Sequence, residues 1–334
     1  MREIDSDNVA DYLRETGRAS SDAAIEVREL AGGVSNIVLR VVIDDRPPMV
    51  LKQSRERLRT QAEWVSRLDR IWIEVDATRL LGTLLPKGMV PAVLFEDRAE
   101  YLYAMTCAPE TSVVWKSRLM NGVVELEIAR RAGDALGTIH AKTAGRPAML
   151  QRFAALEVFD QLRLDPYYRR VARPHPDLAE PLRDLIDETM DPPERSLVLG
   201  DFSPKNLLVG PLGLILLDFE TAHAGDPAFD LGFFLSHLVL KSFRAAPDFA
   251  PYFALISEFL AAYEARRPMV PAAVSRTSRH LGACLLARID GKSPVEYRNE
   301  LDTDAVRRVG RTLLREAPDD WARFMEIAAQ KMRA

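Results

Sequence analysis

The stretch from Leu197 to Leu240 constrains this chain more than any other. The apolar run Ser196 to Leu199 reads as a short buried strand. A loop holding Asp201, Pro204 and Asn206 follows, and Leu207 to Val209 reads as a second strand. Gly210-Pro211-Leu212-Gly213 has the composition of a turn. Leu214 to Leu217 is a third strand, ending on Asp218-Phe219-Glu220. Three carboxylates and an amide therefore sit at the ends of short apolar strands, where rigid backbone aims them at one rim.

The spacing suits phosphoryl transfer. In the protein-kinase plan a catalytic-loop Asp takes the proton of the attacking hydroxyl, an Asn five residues on holds one Mg²⁺, and the Asp of a later D-F-G holds the other. Asp201, Asn206 and Asp218 have this separation. The stretch resembles the aminoglycoside phosphotransferase and choline kinase branch of the kinase-like fold. Its signature is H-G-D-x-x-P-x-N, then D-[FWP]-E, then G-D-P-x-x-D-L. Gly200, Asp201, Pro204, Asn206, Asp218, Phe219, Glu220, Gly225, Asp226, Pro227, Asp230 and Leu231 fall in place. Leu199 stands where the family has a His that supports the loop. The resemblance implies an α+β, two-lobe, protein-kinase-like fold and ATP- and Mg²⁺-dependent phosphorylation of a hydroxyl on a small molecule. It makes Asp201 the base and Asn206 and Asp218 the metal ligands. Glu220 assists the metal or orients substrate, and Asp230 steadies the catalytic loop. The alternative is a nucleotide-binding protein without turnover, for which Leu199 is the only support.

Upstream, the pattern predicts a helix over Asp5 to Glu15, capped by Asp5 or Ser6, and strands over Ala24 to Leu30 and Asn36 to Ile43. Between the strands lies Ala31-Gly32-Gly33-Val34-Ser35. A glycine pair lets backbone approach a ligand closely, so Gly32, Gly33, Ser35 and Asn36 are candidates to cradle phosphates, against a plain hairpin turn. Met49 to Gln53 reads as a strand with one cation, Lys52, which calls for a carboxylate or a phosphate. Glu63 lies among Arg59, Arg67 and Arg70, a segment that reads as solvated. Glu74 instead shares a helix face with Ala77, Leu81, Leu84 and Leu85, and a carboxylate on an apolar stripe points to a buried partner, so it is paired with Lys52. Strands through Phe95 and over Tyr101 to Thr106 complete five antiparallel strands, and Thr106 to Ala108 becomes a hinge whose backbone meets adenine. The expected division is a nucleotide lobe, 1–106, and a helical catalytic lobe, 107–334.

The second lobe shows helical periodicity over Val123 to Ala141, with His140 expected as a structural hydrogen-bonder, and over Leu178 to Met190. Leu164-Asp165-Pro166 is expected to break the pattern between them. Further helices are expected over Asp230 to Lys241, Phe249 to Arg266, Pro271 to Asp290, Asp302 to Glu316 and Asp319 to Met332. Arg288-Ile289 before Gly291, with R-L-L-G-T-L-L-P and V-P-A-V-L-F-E-D earlier, resembles methylthioribose kinase more weakly. Arg288 and Lys292 lean the acceptor toward a sugar, neutral or carrying phosphate or carboxylate, or simply suit a helix C-terminus. With 334 residues, 47% hydrophobic, 28% charged and a net charge of −4, the chain has no global basic surface for nucleic acid and no apolar run of membrane length. Cys107 and Cys284, far apart, fit a reduced cytoplasmic protein.

Overall fold

The computed structural model describes residues 1–30, 36–57, 65–211 and 213–332. Five antiparallel strands form the first lobe: β1 (Ile25–Glu29), β2 (Asn36–Ile43), β3 (Met49–Ser54), β4 (Val93–Asp97) and β5 (Leu102–Thr106), in the order β1-β2-β3-β5-β4. Alternation decides which face each residue takes. Leu39 and Leu51 are cross-strand partners, as are Leu51 and Ala104. They pack in one apolar cluster with Val9, Tyr12 and Leu13 of the N-terminal helix Val9–Glu15. Lys52, between Val38 and Tyr103 in register, therefore faces the other way, toward the helix Arg70–Leu84. Both faces of β3 are covered, so Val50 to Ser54 are buried without interruption.

The second lobe is built around the helix Pro227–Ala245, whose residues from Pro227 to Phe243 are all buried. A helix buried on every side needs neighbours on every side. The helices Ala250–Arg266 and Pro271–Asp290 and the catalytic strands supply them. The lobe adds β6 (Val113–Val114) and, within residues 196–225, β7 (Ser196–Val198), β8 (Leu207–Gly210), β9 (Gly213–Leu216) and β10 (His223–Gly225), with β6-β8-β9 as one antiparallel sheet and β7-β10 as a pair. Ala77, Leu81 and Leu85 join the apolar cluster of the helical lobe, so the helix bearing Glu74 packs against both lobes.

Three local expectations are corrected. The first helix begins at Val9, because the Asp5 carboxylate closes a turn by accepting the N–H groups of Asp7 and Asn8. Pro166 does not break the chain's helicity: it lies inside a π-helix, Asp160–Arg169, whose wider turn moves the carbonyl that a proline ring would strike. The central helix opens at Pro227 with Asp226 as its cap, accepting from the Ala228 N–H at 2.9 Å, which leaves Asp230 to point elsewhere.

Candidate active site

The catalytic loop hangs from Asp230. Its carboxylate accepts the N–H of Leu199 at 2.6 Å and of Gly200 at 2.8 Å, and its Oδ2 lies 3.2 Å from His140 Nε2. His140 in turn bonds the Tyr263 hydroxyl at 2.9 Å, so this imidazole is wholly buried and structural. The Thr221 hydroxyl donates to Leu199 O at 2.9 Å. Leu199 itself is buried apolar surface, and backbone bonds carry the support that an imidazole gives elsewhere. Gly200 adopts φ +72° with Thr221 O 2.8 Å from where a Cβ would sit, so glycine is required there.

Asp201, 5% exposed, is held on one oxygen only. Its Oδ2 meets Arg163 Nη2 at 3.0 Å and Lys205 Nζ at 2.8 Å. Oδ1 is buried and has no hydrogen-bond partner. Arg163 also donates to Gly200 O. Asn206 Nδ2 donates to Asp201 O at 3.0 Å, which leaves the amide oxygen as its acceptor on the cleft.

Asp218 follows β9 at φ +67°, a backbone region that strains any residue with a Cβ and that persists where surroundings enforce it. The enforcing contact is Lys52, whose Nζ lies 2.6 Å from Asp218 Oδ1 and 2.8 Å from Glu74 Oε1. Burial pushes the Asp218 carboxyl up, but Lys52 and Lys205 outweigh it and hold it at about 2. Burial works against the Lys52 charge, and Asp218 and Glu74 outweigh that too, keeping the ammonium well above its ordinary range. Glu74, with Oε2 buried and unpartnered, is pushed up by burial, Lys52 opposing. Glu220 accepts Asn36 Nδ2 at 2.8 Å and Arg70 Nε at 3.1 Å, both on Oε2. Carboxylate oxygens of Glu74, Asp218 and Glu220 lie within 4.8 Å of one another, a donor set that suits a hard divalent cation.

The lobes enclose a cleft of about 900 Å³. Leu30, Val38, Met105, Leu208 and Leu217 give it apolar walls, and Lys52, Asn206 and Asp218 stand at its polar end. Cys107 and Ala108 line the cleft where the lobes join, but Thr106 does not: its exposed hydroxyl accepts the Ala92 N–H at 2.9 Å on the outer edge of the sheet. Gly32, Gly33, Ser35 and Glu63 lie outside the described residues. The structure thus brings Asn36, Lys52, Glu74, Asp201, Asn206, Asp218 and Glu220 to one place. Arg163, remote from the motif, leaves no mark in the sequence pattern, whereas Lys205 lies inside the motif, four residues after Asp201. Arg70, which sequence reasoning did not single out for the site, is completely buried, bonded to Glu220 and to the carbonyls of Ser66, Arg67 and Arg55.

The model of the phosphotransferase enzyme family matches residues 26–245, which hold every described member of this site. The chain belongs to the phosphotransferase enzyme family. Within that family, methylthioribose kinase 2 of Oryza sativa subsp. japonica is 23% identical over 279 residues, covering 73% of this chain and 64% of that protein's length. A putative fructosamine-3-kinase from Thermobifida fusca YX-ER1 superposes with a TM-score of 0.54 at 21% identity, covering 99% of this chain and 100% of its own. An amicoumacin kinase in complex with AMP-PNP, Ca²⁺ and Ami gives 0.55 at 15% identity, with 97% of each chain covered. These two solved structures share the two-lobe kinase-like fold.

Proposed function

We propose that the chain is an ATP- and Mg²⁺-dependent kinase that phosphorylates a hydroxyl of a small molecule, sugar-like or an amino alcohol, with nucleotide seated between residues 1–106 and 107–334. The observation that carries this is Asp201: one oxygen is fixed by Arg163 and Lys205, and the other is buried with nothing to accept from. An acceptor hydroxyl supplies the missing donor. Its proton passes to Asp201 Oδ1 and its oxygen bonds the γ-phosphorus. The bond from that phosphorus to the β,γ-bridging oxygen breaks, and ADP leaves with the electron pair. Lys52, set by Glu74, holds phosphate oxygens, with Asn36 on the same cleft; Gly32, Gly33 and Ser35, the other expected phosphate contacts, lie outside the described residues. Asp218 and the Asn206 amide oxygen would hold Mg²⁺, with Glu220 Oε1 beside them. When bound, the ion neutralises charge on the phosphates. The apolar walls suit adenine, bonded by backbone near Ala108.

ADP release over a library of sugars, amino alcohols and aminoglycosides tests the reading. Turnover of at least one acceptor, abolished in Asp201→Asn, is expected. Tight ATP binding with no turnover across the library would favour a nucleotide-binding protein without catalysis.

A further inference from the structure

We infer that the acceptor carries an anionic group, a carboxylate or a phosphate, bound at the end of the cleft that Lys116 and Lys205 line, near the buried Lys241; the inference rests on the kinase reading above. Lys116 and Lys205 both line the cleft, and Lys205 touches Asp201, so this end adjoins the reacting hydroxyl. Lys241, 2% exposed on the central helix, has one hydrogen bond, to the neutral carbonyl of His237 at 3.2 Å, and a Tyr297 ring 5.7 Å away. No described carboxylate pairs with it. Among the described residues Arg288 likewise bonds the Tyr167 hydroxyl and Ser293 oxygens and no carboxylate. Lys116, Arg163, Lys205, Lys241 and Arg288 have, among the described residues, two carboxylates in ion-pair contact, Glu296 and Asp201, with Asp218 acting on Lys205 and Arg163 from farther off. Burial first, and then the Lys116 charge, push the Lys241 ammonium down to about 7. A fold gains nothing in stability from a cation so placed.

A second set of observations points to a ligand. His237 Nε2, the Tyr297 hydroxyl and Arg288 Nε are buried without hydrogen-bond partners, and His237 and Tyr297 are only 6% and 3% exposed. Unmet donors beside surplus cations are what an oxyanion satisfies, with charge-assisted bonds about twice as strong as neutral ones. One buried ring separates this group from the reacting centre: the Arg163 guanidinium lies 5.4 Å from the Phe233 ring, and that ring 5.1 Å from His237. A cationic acceptor meets repulsion at the same place.

Matched acceptors test this: hydroxy acids against their amides, sugar phosphates against parent sugars, and amino alcohols, each assayed for ADP release. The charged member of one anionic series is expected to lead in kcat/KM by ~10-fold or more, the equivalent of one good charge-assisted bond; which series leads identifies carboxylate or phosphate. Lys241→Met is expected to raise the acceptor KM ~10-fold with kcat little changed while raising Tm, a combination that a purely structural lysine does not produce. Lys116→Met, at a half-exposed site that tolerates change, is expected to raise KM likewise. Neutral or cationic members that react as well as anionic ones, in wild type and both variants, overturn the inference and leave the kinase reading intact. If no acceptor reacts, the kinase reading fails. Malonate and inorganic phosphate, added with a non-hydrolysable ATP analogue, then decide the anion site: a Tm rise lost in Lys241→Met supports it, and an equal rise or none in both proteins overturns it.

Discussion

Asp201 carries two cations on Oδ2 and none on Oδ1, an asymmetry that in the proposed reaction makes Oδ1 the oxygen that takes the proton. Asp201→Asn keeps the size and loses the acceptor, so ATP affinity is expected within a few-fold of wild type and turnover lower by ~10²–10⁴. Steady-state kinetics with calorimetry measures both; unchanged turnover contradicts the assignment. Lys52 is shared by two carboxylates from different elements. Glu74→Gln leaves Asp218 as its remaining carboxylate partner and lets the ammonium move from the phosphate position, so the KM for ATP is expected to rise. An unchanged KM would mean that Asp218 alone positions the lysine.

At the scale of elements, the helix Leu126–Thr143 lies so close to Ala250–Arg266 that a Cβ on Gly133 would meet Phe259 O at 2.1 Å. Gly133→Ala is expected to lose ~1–3 kcal/mol in urea unfolding through overpacking. Gly82, exposed on its helix with nothing within 4 Å of the same atom, is the contrast: Gly82→Ala is expected to gain ~0.5–1 kcal/mol. Similar losses in both would mean that helix contact is not what Gly133 serves. These elements were legible in the sequence because their periods are local. β2 alternates buried and half-buried along its length, and Pro271–Asp290 has the bounds its pattern predicts. The Glu74 stripe was legible for the same reason. Arg70 was not, since its burial depends on Glu220, 150 residues away, and on carbonyls of its own turn. Arg163 was hidden because Pro166 read as a break, whereas the π-helix carries that arginine to Gly200 and Asp201.

Across the whole molecule, Lys52–Asp218 and the Glu220 bonds to Asn36 and Arg70 tie the sheet lobe to residues 218–220, so in the proposed reading the groups that would hold nucleotide also join the lobes. Lys241 gives the stability curve a predictable tilt. Its folded value of about 7 lies below that of an unfolded lysine, ~10.4, so the unfolded chain binds more protons across that window and stability rises with pH through it. Lys241→Met removes the term, and its gain in urea midpoint is expected to be larger at pH 6 than at pH 9.5; an equal gain at both contradicts a depressed ammonium. The central claim is that this cleft binds ATP through a metal held by Asp218. Calorimetric titration of ATP with and without Mg²⁺, in wild type and Asp218→Ala, tests it most directly. Mg²⁺ is expected to tighten ATP binding in wild type and to have little effect in the variant, because Asn206 alone is a neutral ligand. The same Mg²⁺ dependence in both proteins would contradict the account.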